Sequence, residues 1–187
     1  MVLVHKIIFF DHDWDNIKTY WKNLADLPIN LIFRHGSFEK IINKEKMQIV
    51  VAPTNSYVSM TGGIDKIYTK IFKNIETKLR KKISEKKYQI SGISYKGTHY
   101  TLPIGKTIIC ETGNDKCFFI MASPTMVMPK DINGTNNIYL CMKAILKKIS
   151  KINTPIIIAC PCLGTGIGNV PAEESALQIR KALLEII

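Results

Sequence analysis

Two glycine-rich segments hold the residues best suited to chemistry. The first runs from Ala52-Pro53-Thr54-Asn55 into Met60-Thr61-Gly62-Gly63-Ile64-Asp65, and the second is Cys160-Pro161-Cys162-Leu163-Gly164-Thr165-Gly166-Ile167-Gly168. Glycine admits positive φ and close backbone approach, so successive N–H groups can converge on phosphate oxygens. Each segment follows an apolar run and leads into a helical pattern. That places it at the carboxyl end of a strand, offering the unpaired N–H groups of a helix start to an anion. One such loop could equally be a tight turn, but two suit a pyrophosphate better than a lone phosphate. Neither is a Walker A sequence, since no Gly-Lys-Ser or Gly-Lys-Thr follows. The second lacks both the full Gly-x-Gly-x-x-Gly spacing and the early position of a dinucleotide fold.

Other reactive groups are read more plainly. Cys160 and Cys162 have one residue between them, closer than the usual zinc spacing, and lack a second pair; they read as core packing beside the second loop. His99 with Cys110 or Cys117 has no local signature of a nucleophile pair, so these thiols read as buried and inert. Lys78, Arg80, Lys81, Lys82, Lys86 and Lys87 cluster near the end of a helical stretch. They fit either the negative end of the helix dipole and a solvated face, or a nucleic-acid patch without interleaved aromatics.

Alternating strands and helices must position the loops. His5 to Phe10 reads as a strand, followed by helical spacing at Trp14, Ile17, Tyr20, Trp21 and Leu24. Asn30 to Phe33 and Met47 to Ala52 are further strands, separated by the turn-like Arg34 to Ser37 and the Lys-rich Asn43 to Lys46. Ile64, Ile67, Ile71, Ile75, Leu79 and Ile83 form one long apolar stripe and predict one long helix. Tyr88 to Leu102 has no firm period and reads as irregular or as a lid-like insertion. Lys106 to Glu111 and Cys117 to Ala122 are strands joined by a turn, and Ser123 to Gly134 is a loop. Ile138, Met142, Ile145, Leu146 and Ile149 mark a helix, and Pro155 to Cys160 is apolar enough for the middle of a sheet covered on both faces. Pro171 with Glu173 and Glu174 opens the last helix. The expected fold is a three-layer α/β/α sandwich with a mixed, largely parallel central sheet, one domain spanning 1–187.

The chain has 187 residues and 46% hydrophobic positions, enough to bury a core without disulfides or metal. No stretch approaches the roughly 18 uninterrupted apolar residues of a bilayer-spanning helix, so no membrane role is expected. His5, Lys6 and the following Asp11-His12-Asp13 do not fit a signal peptide. Five cysteines, mostly inside apolar runs, point to a reducing, cytoplasmic setting, that of the host cell if the protein is viral. The net charge is +11, but of the basic residues only Arg34, Arg80 and Arg180 are arginines. Lys, Ile and Asn abundance can follow from AT-rich coding alone. Basic charge speeds encounter with polyanions without choosing among them.

In order, separation and helical context the two loops resemble those of the macro domain family, the ADP-ribose-binding modules. The family's Asn-Ala-Ala-Asn, Gly-rich loop and Val-Asp resemble Ala52-Pro53-Thr54-Asn55, then Gly62-Gly63-Ile64-Asp65. Its second phosphate loop resembles Gly164-Thr165-Gly166-Ile167-Gly168-Asn169-Val170-Pro171. Leu102-Pro103-Ile104-Gly105, Ser123-Pro124-Thr125-Met126 and Thr135-Asn136-Asn137-Ile138-Tyr139 resemble a macro-like subgroup that includes phage-tail-associated proteins. The likeness covers most of the chain from about Phe33 onward.

The resemblance implies binding of ADP-ribose or an ADP-ribosylated protein, with hydrolysis of ADP-ribosyl esters or of ADP-ribose 1″-phosphate as the associated chemistry; it calls for no metal or cofactor. Asn55 would bind the distal ribose, its amide able both to donate and to accept. Gly62, Gly63, Ile64 and the backbone of Gly164, Thr165, Gly166, Ile167 and Gly168 would surround the diphosphate and that ribose, with Thr54 beside Asn55. Asp65 matches the acidic position near the scissile C1″ bond, where a carboxylate can orient or deprotonate water; as a charge at a helix N-terminus it has a second reading. The chain departs from the pattern at four places. Ala52 replaces the first Asn. Ser37, after Gly36, replaces the acidic residue that contacts adenine in many members. Gly168 and Val170 replace an aromatic pair, and Thr69 stands where some hydrolases carry His. A non-catalytic reader of ADP-ribosylated partners is the first rival, and a nucleic-acid-binding module the second. The oligomeric state is not legible from the sequence.

Overall fold

Apolar β-branched runs form the strands of a six-stranded sheet in the computed structural model, which describes residues 5–88 and 100–186. The strands are β1 (Lys6–Asp11), β2 (Leu31–His35), β3 (Met47–Ala52), β4 (Ile108–Glu111), β5 (Cys117–Ala122) and β6 (Ile157–Pro161). Their spatial order is β2-β1-β6-β3-β5-β4. All neighbours are parallel except β4 against β5, so the sheet is mixed and largely parallel. As its apolar composition requires, β6 is central.

Alternation of side chains across each strand divides the core in two. Ile7, Phe9, Ile49, Val51, Ile158 and Cys160 pack on one face, against α1 (Trp14–Leu24), α5 (Asn137–Ile149) and α6 (Ala172–Leu184). Phe10, Val50, Ala52 and Ala159 pack on the other, against α2 (Phe38–Lys44), α3 (Gly63–Ile71) and α4 (Ile75–Glu85). Two helical layers therefore enclose the sheet.

The structure corrects several sequence expectations. The long stripe from Ile64 to Ile83 is two helices, broken where Phe72 is extended (φ −108°, ψ 109°) and Asn74 adopts left-handed φ +57°. Asn tolerates that conformation better than most residues, so the break needs neither Gly nor Pro. Within α3, Asp65 and Tyr68 are the buried positions, while Ile64, Ile67 and Ile71 are only partly covered. The helix is thus rotated to turn a carboxylate inward. Arg34 and His35 extend strand β2 rather than starting a turn, and the seven-residue α2 occupies a stretch with no legible period. On α1, Ile17, Tyr20 and Leu24 are buried, but Trp14 and Trp21 are each 58% exposed. Most of Tyr88 to Leu102, including His99, lies outside the described residues.

Edge strand β4 accounts for part of the lysine cluster. Lys82 Nζ donates to Ile109 O at 2.7 Å and Lys78 Nζ to Glu111 O at 3.4 Å, capping edge carbonyls that would otherwise invite another strand. Arg80 pairs with Glu76 at 2.9 Å. All five cysteines are free and buried.

Candidate functional site

Beyond the end of β3, the chain stays registered with the segment following β5: Ser123 N donates to Ala52 O at 3.0 Å and Thr125 N to Thr54 O at 3.1 Å. Asn55 then forms an isolated bridge with Met126 and folds its side chain back on the loop. Its Oδ1 accepts from Tyr57 N (3.1 Å) and Ser59 N (3.2 Å), and its Nδ2 donates to Ser59 O (3.0 Å). This bracket spans Val58, a β-branched residue held at φ +53°, a conformation that costs on the order of 1–3 kcal/mol and persists only under such restraint. Among the described residues, one N–H of the Asn55 amide is left over.

The second loop is braced from beneath. The Tyr20 hydroxyl of α1 accepts from Leu163 N at 2.9 Å and bonds Ser175 Oγ of α6 at 2.6 Å; Ser175 Oγ donates in turn to Leu163 O at 2.6 Å. Above that base the chain turns through Gly164 (φ +74°), and Val170 N donates to Gly164 O at 3.0 Å. Among the described residues, no group accepts from the amides of Gly164 to Gly168. The amides of Gly63, Ile64 and Asp65 at the start of α3 are likewise uncommitted, as expected for a helix N-terminus.

Both loops open onto one cleft of about 670 Å³. It is lined by Ser37, Asn55, Gly62, Gly63, Ile64, Asp65, Gly164, Thr165, Gly166, Ile167 and Gly168. Thr54 lies outside the lining, 1% exposed. At Gly62 an added Cβ would lie 3.5 Å from Ile167 Cδ1, so the loops touch over the cleft.

Sequence reasoning missed one wall. Asp11, His12, Asp13 and Asn16, at the junction of β1 and α1, line the same cleft. The Asp11 backbone carbonyl accepts from Gly36 N at 2.8 Å, and its Oδ2 lies 3.5 Å from Thr165 Oγ1. The available signal was positional: Asp11 ends the strand next to β6, on the sheet edge that carries both loops. Cys162 also lines the cleft, although buried.

Asp65 dominates the electrostatics. The residue is 7% exposed, and among the described residues neither its Oδ1 nor the Thr54 Oγ1, both buried, has a hydrogen-bonding partner. Burial pushes the Asp65 carboxyl up to about 7; the adjacent Thr54 hydroxyl pulls it partway down, without a well-formed hydrogen bond, and the Glu76 charge pushes it up again. The Tyr68 hydroxyl is engaged elsewhere, donating to Val51 O at 2.9 Å. Among the described residues, no Lys or Arg lines the cleft. Among the described residues, no group of three or more His, Cys, Asp or Glu is arranged to hold a metal ion.

The family model described as Macro domain matches residues 51–179, a span that includes both loops. No curated protein matches the chain in sequence. Among solved structures, the fold is similar to the macrodomain of Mycobacterium tuberculosis DarG, at 19% identity and TM-score 0.59, over 76% of this chain and 85% of that one. It is also similar to the Oceanobacillus iheyensis macrodomain with ADP (19% identity, TM-score 0.55, 77% and 71% covered). A third similar structure is the Trypanosoma brucei macrodomain in complex with ADP-ribose (17% identity, TM-score 0.53, 77% and 55% covered).

Proposed function

Given that the chain belongs to the macro domain family, we propose that its cleft binds ADP-ribose and that the site hydrolyses a bond at C1″ of the distal ribose. The observation that carries this reading is the convergence of two sets of uncommitted amides, from Gly63 to Asp65 and from Gly164 to Gly168, on one cleft. Oriented N–H groups bind phosphate oxygens without any basic side chain. Similar folds solved with ADP and with ADP-ribose support the choice of ligand.

With the diphosphate on the amides, the distal ribose falls toward Asn55 and Asp65. The free N–H of Asn55 would donate to a ribose hydroxyl. A water near Asp65 Oδ1 would attack C1″: the new C1″–O bond forms as the bond to the leaving oxygen breaks, and the leaving group keeps the electron pair. Asp65 takes the water proton and then releases it, giving free ADP-ribose. A carboxyl poised near 7 suits that exchange. Holding the reactants in place supplies much of the rate.

The nucleic-acid reading loses support because Lys78, Arg80 and Lys82 are engaged with β4 carbonyls and Glu76. Calorimetric titration of the purified chain with ADP-ribose, ADP and NAD tests the proposal. Saturable binding of ADP-ribose is expected, weakened tenfold or more by Asn55→Ala; no heat with ADP-ribose would overturn it. Release of ADP-ribose from an ADP-ribosyl ester, measured alongside, separates a hydrolase from a reader.

A further inference from the structure

The two edges of the sheet are finished differently. At β4, lysine side chains cap the outward carbonyls. At β2, Ile7 N donates to Asn30 O and Gly36 N to Asp11 O, so Asn30, Ile32, Arg34 and Gly36 turn their backbone groups toward β1, and the residues between them turn theirs outward. Leu31 N donates to Ile29 O at 2.9 Å, but among the described residues nothing pairs with the N–H groups of Phe33 and His35 or the carbonyls of Leu31 and Phe33. Arg34, on β2 itself, bonds Glu45 at 3.1 Å instead.

Helix α1 packs over β1 and β2 and leaves Trp14 and Trp21 on one flank, both more than half exposed. Seven residues put them about 10.5 Å apart along the helix. The Trp14 ring meets His35 edge-on, centroids 5.5 Å apart, so Trp14 stands over the carboxyl end of β2 and Trp21 over its amino end. Farther out on that flank, Asp15 lies in the first turn of α1 and Lys22 in the last.

We propose that β2 and the tryptophan flank of α1 form the interface of a symmetric dimer, in which a second copy of this chain adds its β2 antiparallel about a two-fold axis at Phe33. The N–H and C=O of Phe33 then exchange with those of Phe33 in the second copy, and His35 N donates to Leu31 O across the axis. The same axis reverses α1, setting Trp14 of each copy beside Trp21 of the other and Asp15 near Lys22. The patch is its own complement, as a two-fold interface requires. Spacing agrees: α1 sits one strand spacing from the axis, so the two copies of α1 lie about 10 Å apart, a normal distance for packed helices. The +11 charge of each copy is screened beyond about 8 Å at physiological ionic strength, which leaves the near Asp15–Lys22 pairs in force. A nucleic acid stacked on the tryptophans would leave the strand edge unpaired and would meet Asp13 and Asp15 at the start of the same helix. The second copy satisfies both features.

Sedimentation equilibrium of the whole chain, from low to high micromolar concentration, tests this. A reversible monomer–dimer equilibrium is expected, and a chain that stays monomeric throughout overturns the proposal. Trp21→Glu, at an exposed side chain, and His35→Pro, which removes only an outward N–H, should each weaken the dimer about tenfold or more while keeping the native melting temperature. Lys22→Glu should weaken it too, and adding Asp15→Lys should restore it; a swap that restores nothing overturns the antiparallel arrangement. If His35→Pro does not fold, Trp21→Glu and the charge swap still decide. A dimer indifferent to all of these substitutions is built on another face and refutes the assignment. So does a monomer whose tryptophan fluorescence is quenched by oligothymidylate, since the flank would then be a stacking platform for bases.

Discussion

Gly62 and Ile167 meet across the cleft: a Cβ built on Gly62 lies 3.5 Å from Ile167 Cδ1, although the two residues belong to loops 105 positions apart. Ile167 is 57% exposed, so its side chain forms part of the roof. Gly62 has φ −140°, a conformation open to any residue, and its constraint is therefore space. Gly62→Ala should leave the melting temperature within a degree or two and reduce ADP-ribose affinity only slightly, since 3.5 Å is ordinary contact. Gly62→Val adds a branched Cβ with two methyl groups beside Ile167 and the helix amides, and should lower affinity at least tenfold without unfolding the chain. Paired calorimetry and thermal melts check both.

Asp65 should destabilise the fold at neutral and alkaline pH. Its carboxyl is raised to about 7 in the folded chain, against about 3.9 in an unfolded one. The folded state therefore holds the proton more tightly, and that contribution is complete below about pH 4 and lost as pH climbs through 7. Three units correspond to on the order of a few kcal/mol. Asp65→Asn should be more stable than the native chain at pH 8, with the difference shrinking toward pH 4.5. Urea denaturation midpoints at both pH values provide the measurement, and an unchanged difference would contradict the assignment.

The parts of this site that were legible in the sequence are those whose signals are local. Glycines at the ends of apolar strands marked both loops, and the apolar run at Pro155 to Cys160 marked the central strand, because turn chemistry and periodicity act over a few residues. Asp11 gave no such signal: its place in the cleft arises from β1 pairing with β6, roughly 150 residues away. The apolar stripe misled where burial is decided by tertiary packing. Ile64 and Ile67 line the cleft only partly covered while Asp65, lining the same cleft, is buried, an inversion of the hydrophobic rule of the kind expected where function overrides local preference. The break at Asn74 was illegible because a left-handed Asn looks like any helical Asn until the backbone is seen.

Thr54 should set the pH range over which the site works. Its hydroxyl lowers the carboxyl of Asp65 against the stronger effect of burial. Thr54→Val keeps the shape but removes that influence, so Asp65 should ionise at higher pH. On the proposed mechanism ADP-ribosyl ester hydrolysis needs ionised Asp65, so its rising limb should move to higher pH, with Thr54→Ser restoring the native profile. A Thr54→Val variant with an unshifted profile and reduced rate would mean that the hydroxyl acts only in packing.

Tyr20 should control the second loop from a distance. Its hydroxyl lies in the core, accepting from Leu163 N and bonding Ser175 Oγ, which holds Leu163 O. Tyr20→Phe preserves the ring packed edge-on against Phe9 but leaves the Leu163 amide buried without a partner, a loss of about 1–3 kcal/mol. Gly164 follows directly, and an added Cβ there would sit 2.6 Å from Ile138 Cδ1, so the loop has little room to re-settle without exposing its base. Tyr20→Phe should therefore lower the denaturation midpoint and weaken ADP-ribose binding together. Ser175→Ala removes the other half of the bridge and should act in the same direction. Because all three groups share one network, the double variant should lose less than the sum of the two single losses. Amide hydrogen exchange at Leu163 and Gly164, compared in the native chain and the Tyr20→Phe variant, would show whether the loop base has loosened; equal protection in both would remove Tyr20 from the account of binding.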